Sequence, residues 1–361
     1  MKIAILGTKG IPGHHGVEVV VDALCPYLSE MGHDIVVYGY DTYTKNRKDY
    51  KNVEIRVVRG NSRKNLEMIS HMGRSALLTR RETFDIVHIH SVDPCLLAWV
   101  PKSRLGVVAT SHGQAYMRGK WGRLARTLSK TAERFFIHIP KIRTSVSKPL
   151  AEWYEKKYGK PVCYIPNGVR FREKPDAAIL AKWGVPANGF LFCSAGRMEK
   201  TKGLHTLLDA YEQVSPAMPL LIAGGGVGSD PDYMAALKTR EIPGVRFVGF
   251  LTGDELFSLY AHARAFIFPS EYEAMSMALL EGLSFGVPVI YSDIPENRAV
   301  AEDVGYAFPV SDKEALAGQI ERVISHEEEA KELGRLASAH IHNHHDWANV
   351  AKQYDAIYRM L

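Results

Sequence analysis

Short apolar runs alternate with longer amphipathic stretches along the chain. Lys2–Gly7, Asp34–Tyr40, Val53–Val58, Phe84–His90, Val107–Gly113, Ile142–Val146 and Val162–Ile165 read as strands. Between them, Val17–Met31, Leu66–Thr79 and Ser147–Tyr158 carry helical spacing, the last opened by a Ser cap. The pattern then breaks at Pro166-Asn167-Gly168-Val169, which is turn chemistry, and residues 170–188 read as a polar linker. It resumes with strands at Phe190–Ser194, Leu220–Ala223, Val245–Val248, Ala265–Phe268 and Val287–Tyr291. Helices are predicted from Leu204 to Tyr211, at Asp254–His262, and through Met277 and Leu283. A short one starts near Pro295, and amphipathic ones cover Asp312–Ile324 and Glu327–His342 before a last helix begins at Asp346-Trp347. Strand–helix alternation predicts parallel, doubly wound α/β sheets. With 361 residues there is room for two such domains.

The stretch from Ser270 to Asp293 holds the sharpest candidate chemistry. It is a strand–loop–helix–strand unit, with the loop at the carboxyl end of a strand, where ligands of open α/β sheets bind. Glu273 lies in the loop and Glu281 in the helix. Between them, Ala274, Met275, Ser276 and Met277 bring free amides to a helix N-terminus, which binds phosphate without a basic side chain. A carboxylate beyond such an anion site accepts hydrogen bonds from ribose hydroxyls; one in the loop meets a hydroxylated group on the far side. Two glutamates eight apart also occur by chance on ordinary surfaces.

Two other turns carry candidate groups. Arg197 and Lys202 flank the turn after the first strand of the second half; a guanidinium fork and a compact ammonium together suit a diphosphate. In the first half, Gly7-Thr8-Lys9-Gly10-Ile11-Pro12-Gly13-His14-His15-Gly16 joins a strand to a helix. It is neither a dinucleotide fingerprint nor a Walker loop; it is either a plain flexible connection or a loop that lets backbone approach phosphate or sugar, with Gly16 opening the helix. His112-Gly113 closes a strand. His340, His342, His344 and His345 lack a carboxylate or cysteine partner at ligand spacing, so no metal site is expected.

The Glu-x7-Glu spacing of Glu273 and Glu281, with Pro269-Ser270 before it and Gly286-Val287-Pro288-Val289 after it, resembles the family-4 retaining glycosyltransferases of the GT-B fold. So do Gly-Arg-x5-Gly at Gly196, Arg197 and Gly203, the His112-Gly113 pair, and the first loop with its Gly16-Val17-Glu18. Ala274 and Ser276 stand where the family often has glycines, and His15-Gly16 where it often has a glycine pair. The resemblance implies two facing Rossmann-like doubly wound domains with an inter-domain cleft. These would span residues 1–166 and 167–345, with 346–361 a helix crossing back. It also implies that Glu281 holds a nucleotide ribose, that Glu273 lies by the donor sugar, and that the 274–277 amides, Arg197 and Lys202 meet its diphosphate. His112 would stand beside sugar and acceptor, and Gly16 beside the donor. Arg197, Lys202, Glu273 and His112 are the expected catalytic residues. The donor is a nucleotide-diphosphate sugar. No cofactor or metal is expected, because the cations neutralise the leaving group.

Composition changes this picture in one respect. Residues 1–165 hold 27 Lys and Arg against 14 Asp and Glu, whereas the rest holds 18 against 26. Residues 101–150 alone have 11 bases and one acid, Glu133, with Trp121, Leu124 and Leu128 interleaved among Arg118, Lys120, Arg123 and Arg126. That pattern is either a solvated helix face or a surface that meets phosphate headgroups. The expected acceptor is therefore anionic or lipid-linked, a phosphorylated saccharide of cell-surface glycan synthesis. Peripheral contact with an anionic membrane is expected with it, and nucleic acid is not. The opening apolar stretch is too short for a signal peptide, no run approaches a membrane span, and the four cysteines are scattered. These features lead us to expect a cytoplasmic enzyme, at the inner face of the membrane. A sugar-nucleotide epimerase or hydrolase of similar fold, or a non-catalytic sugar-nucleotide-binding protein, are the alternatives.

Overall fold

The computed structural model describes all residues other than 14–15, 45–48, 62–63 and 118–121, and not the side chains of 64 and 65. His14 and His15, left without a role above, and Arg118, Lys120 and Trp121 lie outside the described residues. The chain forms two compact units, Met1–Arg170 with Trp347–Leu361, and Phe171–Asp346.

In the first unit the strands are β1 (Lys2–Leu6), β2 (Asp34–Tyr40), β3 (Asp49–Tyr50), β4 (Val53–Val58), β5 (Ile86–His90), β6 (Gly106–Ser111), β7 (Ile142–Ser145) and β8 (Cys163–Tyr164). Helices α1 (Val17–Glu30), α2 (Asp41–Thr44), α3 (Lys64–Leu78), α4 (Arg123–His138) and α5 (Lys148–Tyr158) connect them. The sheet order is β3-β4-β2-β1-β5-β6-β7-β8, parallel except for the β3–β4 pair. Strands β1 and β5 are buried almost throughout, as parallel strands covered on both faces must be. The side to which successive strands are added switches between β1 and β5, which run parallel. There Gly7, at φ +80°, passes so close to β5 that a Cβ would lie 2.1 Å from the His90 carbonyl oxygen, and only glycine fits.

The second unit contains β9 (Leu191–Ala195), β10 (Leu220–Gly224), β11 (Val245–Gly249), β12 (Ala265–Phe268), β13 (Val289–Ser292) and β14 (Tyr306–Phe308). Its helices are α6 (Leu204–Val214), α7 (Pro231–Lys238), α8 (Gly253–His262), α9 (Met277–Ser284), α10 (Pro295–Ala301), α11 (Lys313–Ser325) and α12 (Glu327–His344). The order is β11-β10-β9-β12-β13-β14, parallel throughout. Leu191, Cys193, Leu207, Ile222, Ile267 and Ile320 lie at the centre of its core.

The final helix, α13 (Trp347–Arg359), packs on α1 within the first unit. His33 Nε2 and Asp355 Oδ1 are 2.7 Å apart, and the Tyr358 hydroxyl meets His88 Nδ1 at 2.7 Å. Trp347 fills the space above Gly168, where a Cβ would approach its ring to 2.6 Å.

Several expected boundaries move. Strand β6 stops at Ser111, so His112 lies just past the strand rather than in it. The 170–188 linker contains a 3-10 turn at Ala177–Trp183, whose Asp176 carboxylate accepts from the Ala178 amide at 2.9 Å. Helix α7 was not anticipated, although Asp230 caps it by accepting from the Asp232 and Tyr233 amides at 3.1 and 3.2 Å.

Candidate active site

The second sheet grows to one side of β9 through β10 and β11, and to the other through β12, β13 and β14. The loops after β9 and β12 therefore leave the carboxyl ends of adjacent strands at a switch point, where open α/β sheets bind ligands. Arg197 and Lys202 lie on the first loop, and Glu273 with Ala274, Met275 and Ser276 on the second.

The two loops are tied together. The Glu271 amide donates to the Thr201 carbonyl at 2.8 Å. Gly203, at φ +63°, crosses Pro269 so closely that a Cβ would sit 2.0 Å from its carbonyl oxygen. Lys202 Nζ meets Glu273 Oε1 at 2.5 Å, with both side chains mostly buried. Behind them, Ser311 Oγ donates to Glu271 Oε1 at 3.1 Å, and His205 Nε2 lies 3.3 Å from the same oxygen. Arg197 is more open; its guanidinium stands 3.8 Å from Glu199, and its stem runs beside Gly228.

Helix α9 begins at Met277 with Ser276 as N-cap, and the Ser276 hydroxyl accepts from the Leu279 amide at 3.4 Å. In the first turn the Met277 and Ala278 amides have no intrahelical acceptor.

Glu281, one turn into α9, is desolvated. Burial pushes its carboxyl up to about 7, while Arg172 and Tyr260 pull it back. Arg172 itself lies over the Phe257 ring at 4.4 Å. Neither Arg172 nor Tyr260 was singled out from the sequence. Arg172 follows a turn with nothing around it to mark a site, and Tyr260 reads as one more core aromatic of α8.

His112 and Gly16 belong to the first unit. Gly16, at φ +54°, caps α1 without a side chain, and a Cβ there would meet nothing within 4 Å. Glu18 reaches back from the first turn of α1 and accepts from the Lys9 amide at 3.0 Å, which ties Lys9 to the start of the helix. Burial raises the Glu18 pKa. His112 Nε2 is 3.0 Å from His90 Nδ1, and their rings stack with centroids 5.3 Å apart. Burial pulls His112 down to about 4 and His88 down to about 3, so both are neutral at pH 7. His90 was missed as a partner, because strand parity puts it beside His112 only once β5 and β6 pair.

Among the described residues, no group of three or more His, Cys, Asp or Glu side chains is placed to hold a metal ion. The cysteines are free. Among the described residues, no helix is long and apolar enough to cross a membrane.

Two loops converging at the switch point of a parallel sheet, one ending in a helix N-terminus, accord with the known proteins this chain resembles. "Glycosyltransferase Family 4" matches residues 14–172 and "Glycosyl transferases group 1" matches residues 176–340. The O-antigen chain mannosyltransferase C of Escherichia coli is 28% identical over 265 residues, 70% of this chain and 69% of that protein. The N-acetyl-alpha-D-glucosaminyl L-malate synthase of Bacillus anthracis is 26% identical across 99% of this chain and 97% of its own. HepE of Anabaena, crystallised with UDP-glucose, superposes with a TM-score of 0.83 at 17% identity, covering 100% of both chains. Fold and sequence together define a glycosyltransferase of the GT-B class. The chain belongs to the family-4 glycosyltransferases and is an enzyme of glycan biosynthesis.

Proposed function

We propose that this enzyme is a retaining, metal-independent hexosyltransferase that takes its sugar from a nucleotide-diphosphate donor held by the second unit. The observation that carries the reading is the meeting of the β9 and β12 loops, where Lys202 is held by Glu273 three residues before the cap of α9. The UDP-glucose complex of HepE supports the donor class.

In this reading Arg197, Lys202 and the amides of residues 274–277, continued by that of Ala278, meet the diphosphate. As the bond from the sugar's anomeric carbon to the phosphate oxygen breaks, negative charge builds on the leaving diphosphate. Fixed cations and helix amides stabilise that charge without reorganising. The acceptor hydroxyl attacks the same face of the sugar, and its proton passes to an oxygen of the leaving phosphate. The anomeric configuration is retained. Glu273 orients the sugar, and Glu281 accepts from the ribose hydroxyls. His112, neutral and tied to His90, acts as a hydrogen-bonding group for the acceptor rather than as a cation.

The acceptor we infer is a lipid-linked or phosphorylated saccharide, met by the first unit at the inner face of a membrane. The basic excess of residues 1–165 supports this, as does α4, which exposes Arg123, Arg126 and Lys130 beside Leu124 and Leu128. The test is a panel of radiolabelled sugar nucleotides scored for hydrolysis and transfer, with NMR of the product's anomeric proton. Release of sugar from one donor with retention is expected. Inversion, or no turnover of any sugar nucleotide, defeats the reading.

A further inference from the structure

Glu133 is the one acid among residues 101–150, and it is buried. The helical spacing of α4 places it on the inward face with Ser129, Ala132, Phe136 and Ile137. A carboxylate persists inside a protein only when its oxygens are well satisfied. Here four donors satisfy them. Oε1 accepts from Lys157 Nζ at 2.8 Å and from the Tyr158 hydroxyl at 2.5 Å, both at the end of α5. Oε2 accepts from Gln114 Nε2 at 3.0 Å and from the Tyr116 hydroxyl at 2.9 Å.

The division of labour is informative. Lys157 alone would neutralise the charge. The second oxygen is given entirely to the segment that leaves His112. Gly113, at φ +110°, turns the chain, and the next two polar side chains both end on Glu133. Helix α4 is also tied to the turn after β5, where Ser129 Oγ donates to Asp93 Oδ1 at 2.5 Å. That turn follows His90, the partner of His112.

We propose that Glu133 is a positioning residue that sets the path of Gln114–Met117 beside His112, and through it acceptor recognition. This rests on the reading of His112 as an acceptor-side group. The chemistry predicts which substitution exposes the role. Glutamine offers one accepting oxygen and an NH2 group that only donates. Lys157 cannot accept a hydrogen bond, so the amide oxygen turns to it. The NH2 then faces the two groups that donated to the carboxylate, so Gln114 must flip its amide and Tyr116 must accept instead of donate, which rearranges the loop's anchor.

The experiment compares Glu133→Gln, Tyr116→Phe and Lys157→Met by hydrogen exchange and by initial rates. The acceptor probe is a short-chain polyprenyl-diphosphate-linked hexosamine. In folded Glu133→Gln, exchange of the 113–117 amides should quicken at least tenfold and probe KM rise at least tenfold. Donor KM and acceptor-free donor hydrolysis should stay within twofold. Unchanged exchange at 113–117, or a parallel rise of both KM values, overturns the proposal. Should Glu133→Gln fail to fold, Tyr116→Phe must raise probe KM more than Lys157→Met does; the reverse order overturns it. Full transfer by His112→Ala would instead overturn the His112 reading, and the exchange result would still decide whether Glu133 sets the loop.

Discussion

Lys202 and Glu273 are joined at 2.5 Å although 71 residues separate them in sequence. The contact exists because β9 and β12 are neighbours in the sheet. It holds the ammonium in place, so on the proposed function little ordering of a long side chain remains for donor binding. Replacing Lys202 by Ala is expected to lower turnover about 10²–10³-fold, the scale for removing one group that stabilises a developing anion. Arg197→Ala should act in the same direction. Initial rates together with unfolding midpoints check this, and near-normal rates in both variants would refute it.

Glu281 gives a pH signature. Its carboxyl titrates near 7 in the folded chain against an ordinary 4.5. The raised value means that folding favours the protonated form. Its contribution to stability is complete below pH 4.5 and is lost as pH rises through about 7. A shift of this size is worth about 3 kcal/mol. Glu281→Gln should therefore match the wild type near pH 4.5 and exceed it in stability by roughly that amount at pH 8. On the proposed ribose role the same variant should, above pH 7, bind nucleotide more weakly by about 1–3 kcal/mol, the scale of a charge-assisted hydrogen bond. Parallel stability curves for the two proteins between pH 5 and 8 would count against the desolvated carboxylate.

Gly203 and Gly196 flank the same turn and should respond differently. Alanine at 203 must adopt φ +63° and place its Cβ 2.0 Å from the Pro269 carbonyl oxygen. The left-handed backbone alone costs about 1–2 kcal/mol, and the collision adds to it. At 196 a Cβ meets nothing within 4 Å. Urea midpoints should fall for Gly203→Ala and stay within about 0.5 kcal/mol of wild type for Gly196→Ala. Equal midpoints for the two would contradict the close crossing of the loops.

In the first unit, Tyr358 and His88 are both fully buried and meet at 2.7 Å. His88 Nε2 is 2.7 Å from Thr110 Oγ1, which also meets Thr144 Oγ1 at 2.6 Å. Tyr358→Phe leaves a buried ring nitrogen without its partner, at a cost of about 1–3 kcal/mol. Chemical denaturation should show the loss, and hydrogen exchange should localise it to α13 and β5. A variant as stable as the wild type would remove this network from the account of how the last helix is held.

On α4, Leu124 is 75% and Leu128 is 42% exposed, one turn apart, with Arg123, Arg126 and Lys130 beside them. Each base near an anionic surface contributes on the order of 1 kcal/mol. The protein should sediment with vesicles rich in phosphatidylserine at low salt and be released in high salt, since exposed charges are screened. A Leu124→Ser, Leu128→Ser pair should weaken the binding at low salt. Failure of the wild type to bind would leave this face as solvated surface.

Local pattern determined much of this protein. The alternation of apolar runs and helical spacing was enough to expect parallel α/β sheets, because burial on both faces writes itself into the central strands. Gly-Arg-x5-Gly and Glu-x7-Glu were legible because each motif is short and lies on one turn. What tertiary structure alone decided is non-local. Strand order puts Lys202 against Glu273, and β5 beside β6 puts His90 against His112. The same holds for Arg172 at Glu281 and for the four donors on Glu133. No spacing rule encodes these pairs. Which strands become neighbours depends on how the whole chain buries its apolar surface, and the polar partners are chosen afterwards by what that packing leaves within reach.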